Sequence, residues 1–223
     1  MNSYFFNFIP VIPCILGACT GGQTGFPNWG IVYFRSVKKN ELRKHFLSER
    51  KKLSPSDHES WSVQIGQQLT KDLSKDLQWI HVFVPIAAQA EVNTKPMVRE
   101  LWKSGRQVVT SKIRTADTLT HHLWTPTSVL TPNAWGIPES DGERVAEEQL
   151  DAVIIPLLMV DKQGHRVGYG KGFYDRFLAQ CRPNIFKIGV GFFPPVSTIS
   201  DLHTKDVALD CYITQNGRWE FPS

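Results

Sequence analysis

From residue 38 onward, segments with a helical apolar repeat alternate with short runs that are apolar or β-branched almost throughout. Leu42, Phe46 and Leu53 fall on related faces of a basic stretch, predicting an amphipathic helix over Lys38 to Leu53. Ser54-Pro55-Ser56-Asp57 then supplies a capping Ser, a Pro at the first helical position and an acid three residues on. Trp61, Ile65 and Leu69, spaced by four, carry that second helix forward. Trp79 to Ile86 (WIHVFVPI) has the β-branched and aromatic content of a strand. Thr94 is placed to cap a helix through Leu101 and Trp102, which Gly105 ends. Short strands are expected over Gln107 to Ile113 and Thr120 to Thr125, and a loop over Leu130 to Gly142.

Asp151 to Val160 (DAVIIPLLMV) is nearly unbroken in its hydrophobicity, as a strand covered on both faces would be. A helix over Tyr174 to Cys181 and strands over Phe186 to Phe192 and Leu209 to Thr214 complete the pattern. Strands alternating with helices imply an α/β fold, a three-layer α/β/α sandwich around a mostly parallel, Rossmann-like sheet.

The segment before this pattern is different. Residues 1–34 contain no Asp, Glu, Lys, Arg or His. The apolar stretch from Phe5 to Cys19 is interrupted by Pro10 and Pro13 and is too short for a membrane span. Leu16-Gly17-Ala18-Cys19 has the look of a lipoprotein cleavage box, but a secretory signal needs a positive leading region, and this one has none. Residues 1–34 are therefore read as a non-catalytic extension, and residues 35–223 as one domain.

Composition narrows the function classes. With 41% hydrophobic and 21% charged residues, the chain has ordinary globular proportions, and nothing in it signals disorder or a coiled coil. Its net charge of +4 suits an anionic ligand without requiring one. The four cysteines, Cys14, Cys19, Cys181 and Cys211, form no CxxC pair, so neither a zinc site nor a disulfide framework is indicated. Reduced thiols fit a cytoplasmic protein. His121 and His122 are neighbours on an expected strand and would point to opposite faces, which argues against a shared metal.

Chemistry concentrates in Asp161 to Arg176, DKQGHRVGYGKGFYDR, directly after the most apolar run. The carboxyl ends of strands are where open α/β sheets bind ligands. Gly168, Gly170 and Gly172 alternate and permit close backbone approach, while Arg166 and Lys171 put cations beside them. Exposed backbone N–H groups flanked by cations make a phosphate cradle, to which the helix that follows adds its positive end. The spacing matches neither GxxxxGK[ST] nor GxGxxG. Three glycines alone would equally fit a tight strand-to-helix turn.

R-V-G-Y-G-K-G-F-Y-D-R resembles the signature loop of the 5-formyltetrahydrofolate cyclo-ligase family, the methenyltetrahydrofolate synthetases. The preceding D-A-V-I-I-P-L-L-M-V-D-K-Q-G-H resembles that family's strand and turn. Lys39-x-x-Leu42-Arg43, Glu91-Val92-Asn93-Thr94 and Trp135-Gly136-Ile137-Pro138-Glu139 resemble three further family elements in the right order. The likeness runs from about Lys38 to Thr214. It departs where Asn93 stands for an acid and where Ser140 follows Glu139 in place of a Pro.

The resemblance implies ATP-driven cyclisation of 5-formyltetrahydrofolate to 5,10-methenyltetrahydrofolate, with release of ADP and phosphate. By the same likeness, Lys39, Arg43, Arg166, Gly168, Tyr169, Gly170, Lys171, Gly172, Phe173 and Tyr174 would hold ATP, with Arg166 and Lys171 acting on the transferred phosphoryl group. Glu91 would accept hydrogen bonds from the pterin and Phe173 would lie near the folate. Asp175 and Asp210 would hold Mg²⁺. Asp175 also suits a helix cap and Asp210 a turn. A cytoplasmic monomer that binds neither nucleic acid nor membrane is expected.

Two other readings compete. Lys171-Gly172-Phe173 with Phe177 partly imitates an RNA-binding strand motif, but Tyr174-Asp175-Arg176 intervenes where that motif needs a strand. A sugar-phosphate isomerase or CoA-transferase relative would share the layering, and fold alone does not decide between them.

Overall fold

The computed structural model describes residues 37–115, 118–134 and 136–222. The expectations for residues 1–34, Trp135, Cys14 and Cys19 lie outside them.

The described residues form four α-helices: α1 (Lys39–Lys51), α2 (Pro55–Asp72), α3 (Lys95–Lys103) and the short α4 (Phe173–Leu178). The strands of the main sheet are β1 (Trp79–His81), β2 (Gln107–Ile113), β3 (Leu119–Leu123), β6 (Arg144–Val145), β7 (Ala152–Pro156), β10 (Phe186–Val190), β11 (Cys211–Thr214) and β12 (Gly217–Glu220). Two hairpins stand apart from it, β4 (Leu130–Pro132) with β5 (Pro138–Ser140), and β8 (Met159–Val160) with β9 (Arg166–Val167).

The sheet order is β12-β11-β10-β7-β1-β2-β3-β6. Pairing is parallel from β11 through β10, β7 and β1 to β2, and antiparallel at both edges. Side chains alternate across it as the pleat requires. Ala152 and Ile154 join Leu42, Ile65, Leu69, Met97 and Leu101 in a core under α1, α2 and α3. Val153 and Ile155 face the other way and pack with Phe177 and Leu178 of α4. Helices thus cover both faces.

Each expected strand is present and begins within two residues of its expected start, with Leu119 for Thr120, Ala152 for Asp151 and Cys211 for Leu209, and the other differences are local. Only Trp79 to His81 of the 79–86 run is laddered in β1; Val82 to Val84 stay buried but leave the sheet. The apolar run 151–160 is two elements. β7 pairs with β10 as far as Pro156, which has no N–H to continue the ladder. Met159 and Val160 then belong to the β8–β9 hairpin. Because that hairpin is buried as well, the hydrophobicity never drops. The glycine loop therefore follows a hairpin and not the long strand itself.

The fourth helix starts at Phe173, behind Gly172 at φ 66°, and stops at Leu178. Gln180 and Cys181 donate to carbonyls three residues back, so the last turn tightens beyond α-helical geometry. The expected loop at 130–142 holds the β4–β5 hairpin around the Asn133–Gly136 turn.

Asp161 ties the hairpin turn to a distant strap. Its buried carboxylate accepts from the N–H groups of Gln163 (3.0 Å), His165 (2.9 Å) and Ile199 (3.2 Å). The strap in turn holds the start of α1, since Val37 bridges Ile199 and Asp201 accepts from the Lys39 N–H at 2.7 Å.

Candidate active site at the sheet's switch point

The chain leaves β1 for β2 on one side and later enters β7, then β10, on the other. The crevice outside the carboxyl ends of β1 and β7 is thus the topological switch point, the ligand position of open α/β sheets. Glu91 reaches it from the β1 side and the glycine loop from the β7 side.

After β1 the chain makes a short helical turn over Ala87–Gln89 and passes through Ala90 at φ 49°. A left-handed residue with a Cβ costs energy and reverses the chain so that Glu91 turns inward. Glu91 is buried. Its carboxylate accepts from the Ile86 N–H at 2.7 Å and from the Tyr169 hydroxyl at 2.6 Å. Burial raises its pKa, against the pull of those two bonds and of the nearby Arg50 charge. Burial and the Glu91 charge push the Tyr169 hydroxyl well above its ordinary value, so it stays a donor.

The glycine loop is held from α1. Arg43 donates from Nε to the Gly168 carbonyl at 2.9 Å. Gly170 sits at φ 86°, and a Cβ there would lie 3.2 Å from the Arg43 guanidinium, so a side chain is disfavoured twice. Lys39, one turn before Arg43 on the same face, pairs with Asp206. Arg166 pairs with Asp175 at 2.6 Å and donates to the Val207 carbonyl. Asp175 also accepts from the Val207 N–H at 3.3 Å. Lys171 is exposed, with no partner for its ammonium among the described residues. Tyr174 is half-buried over His81 and Phe177, its hydroxyl pushed up by burial.

Two expected residues have other company. Phe173 packs under the Arg176 guanidinium (5.3 Å) and lines a small cleft with Thr118, Leu119 and His121. Asp210 accepts from the Lys187 N–H at 2.7 Å and pairs with its ammonium at 2.9 Å. Asp175 and Asp210 are therefore engaged by different cations.

Sequence reasoning passed over Arg50 and Asp206. Arg50 is buried and donates to the Leu157 carbonyl at 3.1 Å and to the Tyr169 hydroxyl. Its position seven residues after Arg43 put it two turns along the same helix face, a signal that was available. Asp206 sits on the strap beside Lys39 and within electrostatic reach of Arg166, where no local pattern marks it. Its carboxyl is held below the usual range: the Lys39 ammonium and the His203 N–H outweigh an opposing burial effect. Among the described residues no three His, Cys, Asp or Glu side chains form a cage for a metal, and no helix is long and apolar enough to cross a membrane.

His121 and His122 do face opposite ways. His121 is buried and stacked on Phe177 (4.0 Å), while His122 bonds the Gly142 carbonyl at 2.9 Å. Cys181 and Cys211 are free thiols.

The chain is similar in sequence and fold to known proteins. A probable 5-formyltetrahydrofolate cyclo-ligase of Schizosaccharomyces pombe is 26% identical, over 80% of this chain and 96% of its own. The solution structure of Aquifex aeolicus 5,10-methenyltetrahydrofolate synthetase superposes with a TM-score of 0.71 at 28% identity, covering 83% of this chain and 93% of that one. The Mycoplasma pneumoniae 5,10-methenyltetrahydrofolate synthetase gives 0.66 at 26% identity, covering 80% and 99%. The 5-formyltetrahydrofolate cyclo-ligase family model matches residues 35–203, and the chain belongs to that family.

Proposed function

We propose that this chain closes 5-formyltetrahydrofolate to 5,10-methenyltetrahydrofolate at the expense of ATP, in the crevice between β1 and β7. The observation that carries the reading is the Tyr169–Glu91 hydrogen bond. It joins the glycine loop to an acid 78 residues away in sequence, at the one edge where this sheet is built to bind ligands.

In this reading the formyl oxygen attacks the γ-phosphorus and ADP leaves. N10 then attacks the activated formyl carbon, phosphate departs, and the N10 proton is lost. Neither step needs a protein nucleophile; both need positioning and neutralisation of phosphoryl charge. Arg166 and Lys171 would neutralise that charge, with Lys39 and Arg43 on the α1 face and the backbone of Gly168 to Gly172 around the phosphates. Tyr169, Phe173 and Tyr174 would wall the same loop. Glu91 would accept from the pterin amino and ring N–H donors, a charge-assisted pairing.

The donor set suits a Mg²⁺ ion carried in by the nucleotide, because such sites use one or two carboxylates and leave the rest to phosphates and water. Asp175 and Asp206 would hold it, because both lie beside Arg166, whereas Asp210 pairs with Lys187. Bound Mg²⁺ would add neutralisation of the β- and γ-phosphates.

The test is direct. Purified protein, 5-formyltetrahydrofolate, ATP and Mg²⁺ should give ultraviolet absorbance of the methenyl product, dependent on ATP. No product under those conditions would reject the reading.

A further inference from the structure

The Tyr169 hydroxyl has a single proton and spends it on Glu91, while accepting from Arg50 on its other side. The result is a chain of carboxylate, phenol and guanidinium, with no direct Glu91–Arg50 ion pair among the described contacts. Its three members come from three places: Glu91 from the loop after β1, Tyr169 from between two glycines of the phosphate loop, and Arg50 from the last turn of α1. Glu91 and Arg50 are both buried. The Arg50 Nε is buried without a hydrogen-bond partner, so the guanidinium is fixed in place by its two Nη contacts alone. A buried cation is held at such a cost only where its remaining contacts are satisfied.

Tyr169 cannot move without disturbing Glu91. Gly168, next to it, is tethered to Arg43 through its carbonyl, and Gly170 follows at a backbone angle that only the glycine region allows freely. Phosphates entering the loop would shift or lock this segment, and with it the phenol that orients the pterin acid.

We propose that Arg50 and Tyr169 are positioning residues that make folate and nucleotide binding interdependent, by holding the Glu91 carboxylate through the phosphate loop. The inference rests on the assignment of Glu91 to the pterin and of the glycine loop to ATP. Coupling of this kind is reciprocal: whatever factor the nucleotide applies to folate affinity, folate must apply to nucleotide affinity.

Calorimetric titration tests it, with 5-formyltetrahydrofolate added to the full chain in the absence and presence of saturating β,γ-imido-ATP and Mg²⁺. The ratio of the two folate affinities in the wild type is expected to differ from one by about fivefold or more. In Tyr169→Phe, which deletes one oxygen from a half-buried ring, both ligands should still bind and the ratio should collapse toward one. Arg50→Met should do the same if it folds, and Tyr169→Phe stands on its own if it does not. A role in stability alone would weaken each ligand without changing the ratio. An unchanged ratio in Tyr169→Phe, or a wild-type ratio of one, overturns the coupling. A wild type that binds neither ligand overturns the functional reading itself, and the coupling with it.

Discussion

The two sides of the crevice are built on opposite electrostatic plans. On the side proposed for the pterin, Glu91 and Arg50 are buried and joined through one phenol, while the Arg50 Nε has no hydrogen-bond partner among the described residues. On the side proposed for the nucleotide, Lys39 and Arg166 are tied to Asp206 and Asp175, pairs that entering phosphates would have to open or share, while the Lys171 ammonium has no partner among the described residues. The first side is preorganised and its charges are desolvated, so each contact is strong and each loss is specific. The second side holds its cations in pairs with acids that a polyanion could replace, with Lys171 exposed beside them, as suits a site that must admit a polyanion and release ADP and phosphate. On the proposed reading, a rigid acid reads the pterin and a set of cations able to change partners handles the charge.

The sharpest way to break the comparison is Arg166→Ala. It removes a cation from the phosphoryl group and strands Asp175, and should cost about 100- to 1000-fold in kcat/KM for ATP. A loss confined to folate KM would place Arg166 on the wrong side. Glu91→Gln comes next. It keeps the Tyr169 bond but turns a donor toward the Ile86 N–H and the pterin donors, costing roughly 1–3 kcal/mol of folate binding. ATP affinity should move little, and calorimetry with each ligand separates the two.

The two sides should also titrate in opposite senses. Glu91 has a raised pKa, so the folded protein holds this proton more tightly than the unfolded chain, and the contribution to stability grows as pH falls. If Glu91 reads folate as proposed, recognition needs the carboxylate, and the acid limb of kcat/KM for folate should lie above 4.5, the ordinary value for this group. The groups facing it are the Ile86 N–H, the Tyr169 hydroxyl and Arg50. Tyr169→Phe removes one of the influences that hold the pKa down and should move that limb to higher pH. Asp206 has a lowered pKa; its contribution is complete at neutral pH and is lost as pH falls below 3.8, the ordinary value. A pH profile in which both sides fail together would dissolve the distinction.

The smallest effects separate two acids four residues apart. Asp206→Asn should raise the Mg²⁺ concentration needed for half-maximal activity severalfold. Asp210→Asn should leave it unchanged and cost about 1 kcal/mol of stability, measured by urea denaturation, through its bonds to Lys187. Equal Mg²⁺ dependence in both variants would remove Asp206 from the site.

Much of this was legible in the sequence, for identifiable reasons. The glycine loop is a local pattern, with its glycines and cations plain in residue type and spacing, whereas Lys39, Arg43 and Glu91 are singled out by the family resemblance. The α2 start was equally plain: Ser54 accepts from the Asp57 N–H at 3.0 Å, as its spacing implied. What escaped was relational. The β8–β9 hairpin hid inside an apolar run because burial, unlike pairing, is all that composition reports. Arg50 was lost among the cations of a basic helix, although its spacing of seven from Arg43 set it on the same face. Asp206 and Asp210 differ only in which lysine the folded strap brings to each.

The register of β1 on β7 has a kinetic consequence. The Asp151 carboxylate accepts from the Gln78 and Trp79 N–H groups, both at 2.8 Å, closing a separation of 72 residues between Asp151 and Trp79. Contacts that distant carry a larger loop-closure entropy than local ones, so they form after the local hairpins and the α2–α3 pair. The crevice itself is thus the seam along which the two halves of the nascent chain meet, and no part of the reaction can begin before that late docking. Asp151→Ala should slow refolding more than Ser54→Ala does at equal loss of stability, which stopped-flow tryptophan fluorescence would resolve. A protein arranged this way ties its catalytic competence to completion of its fold.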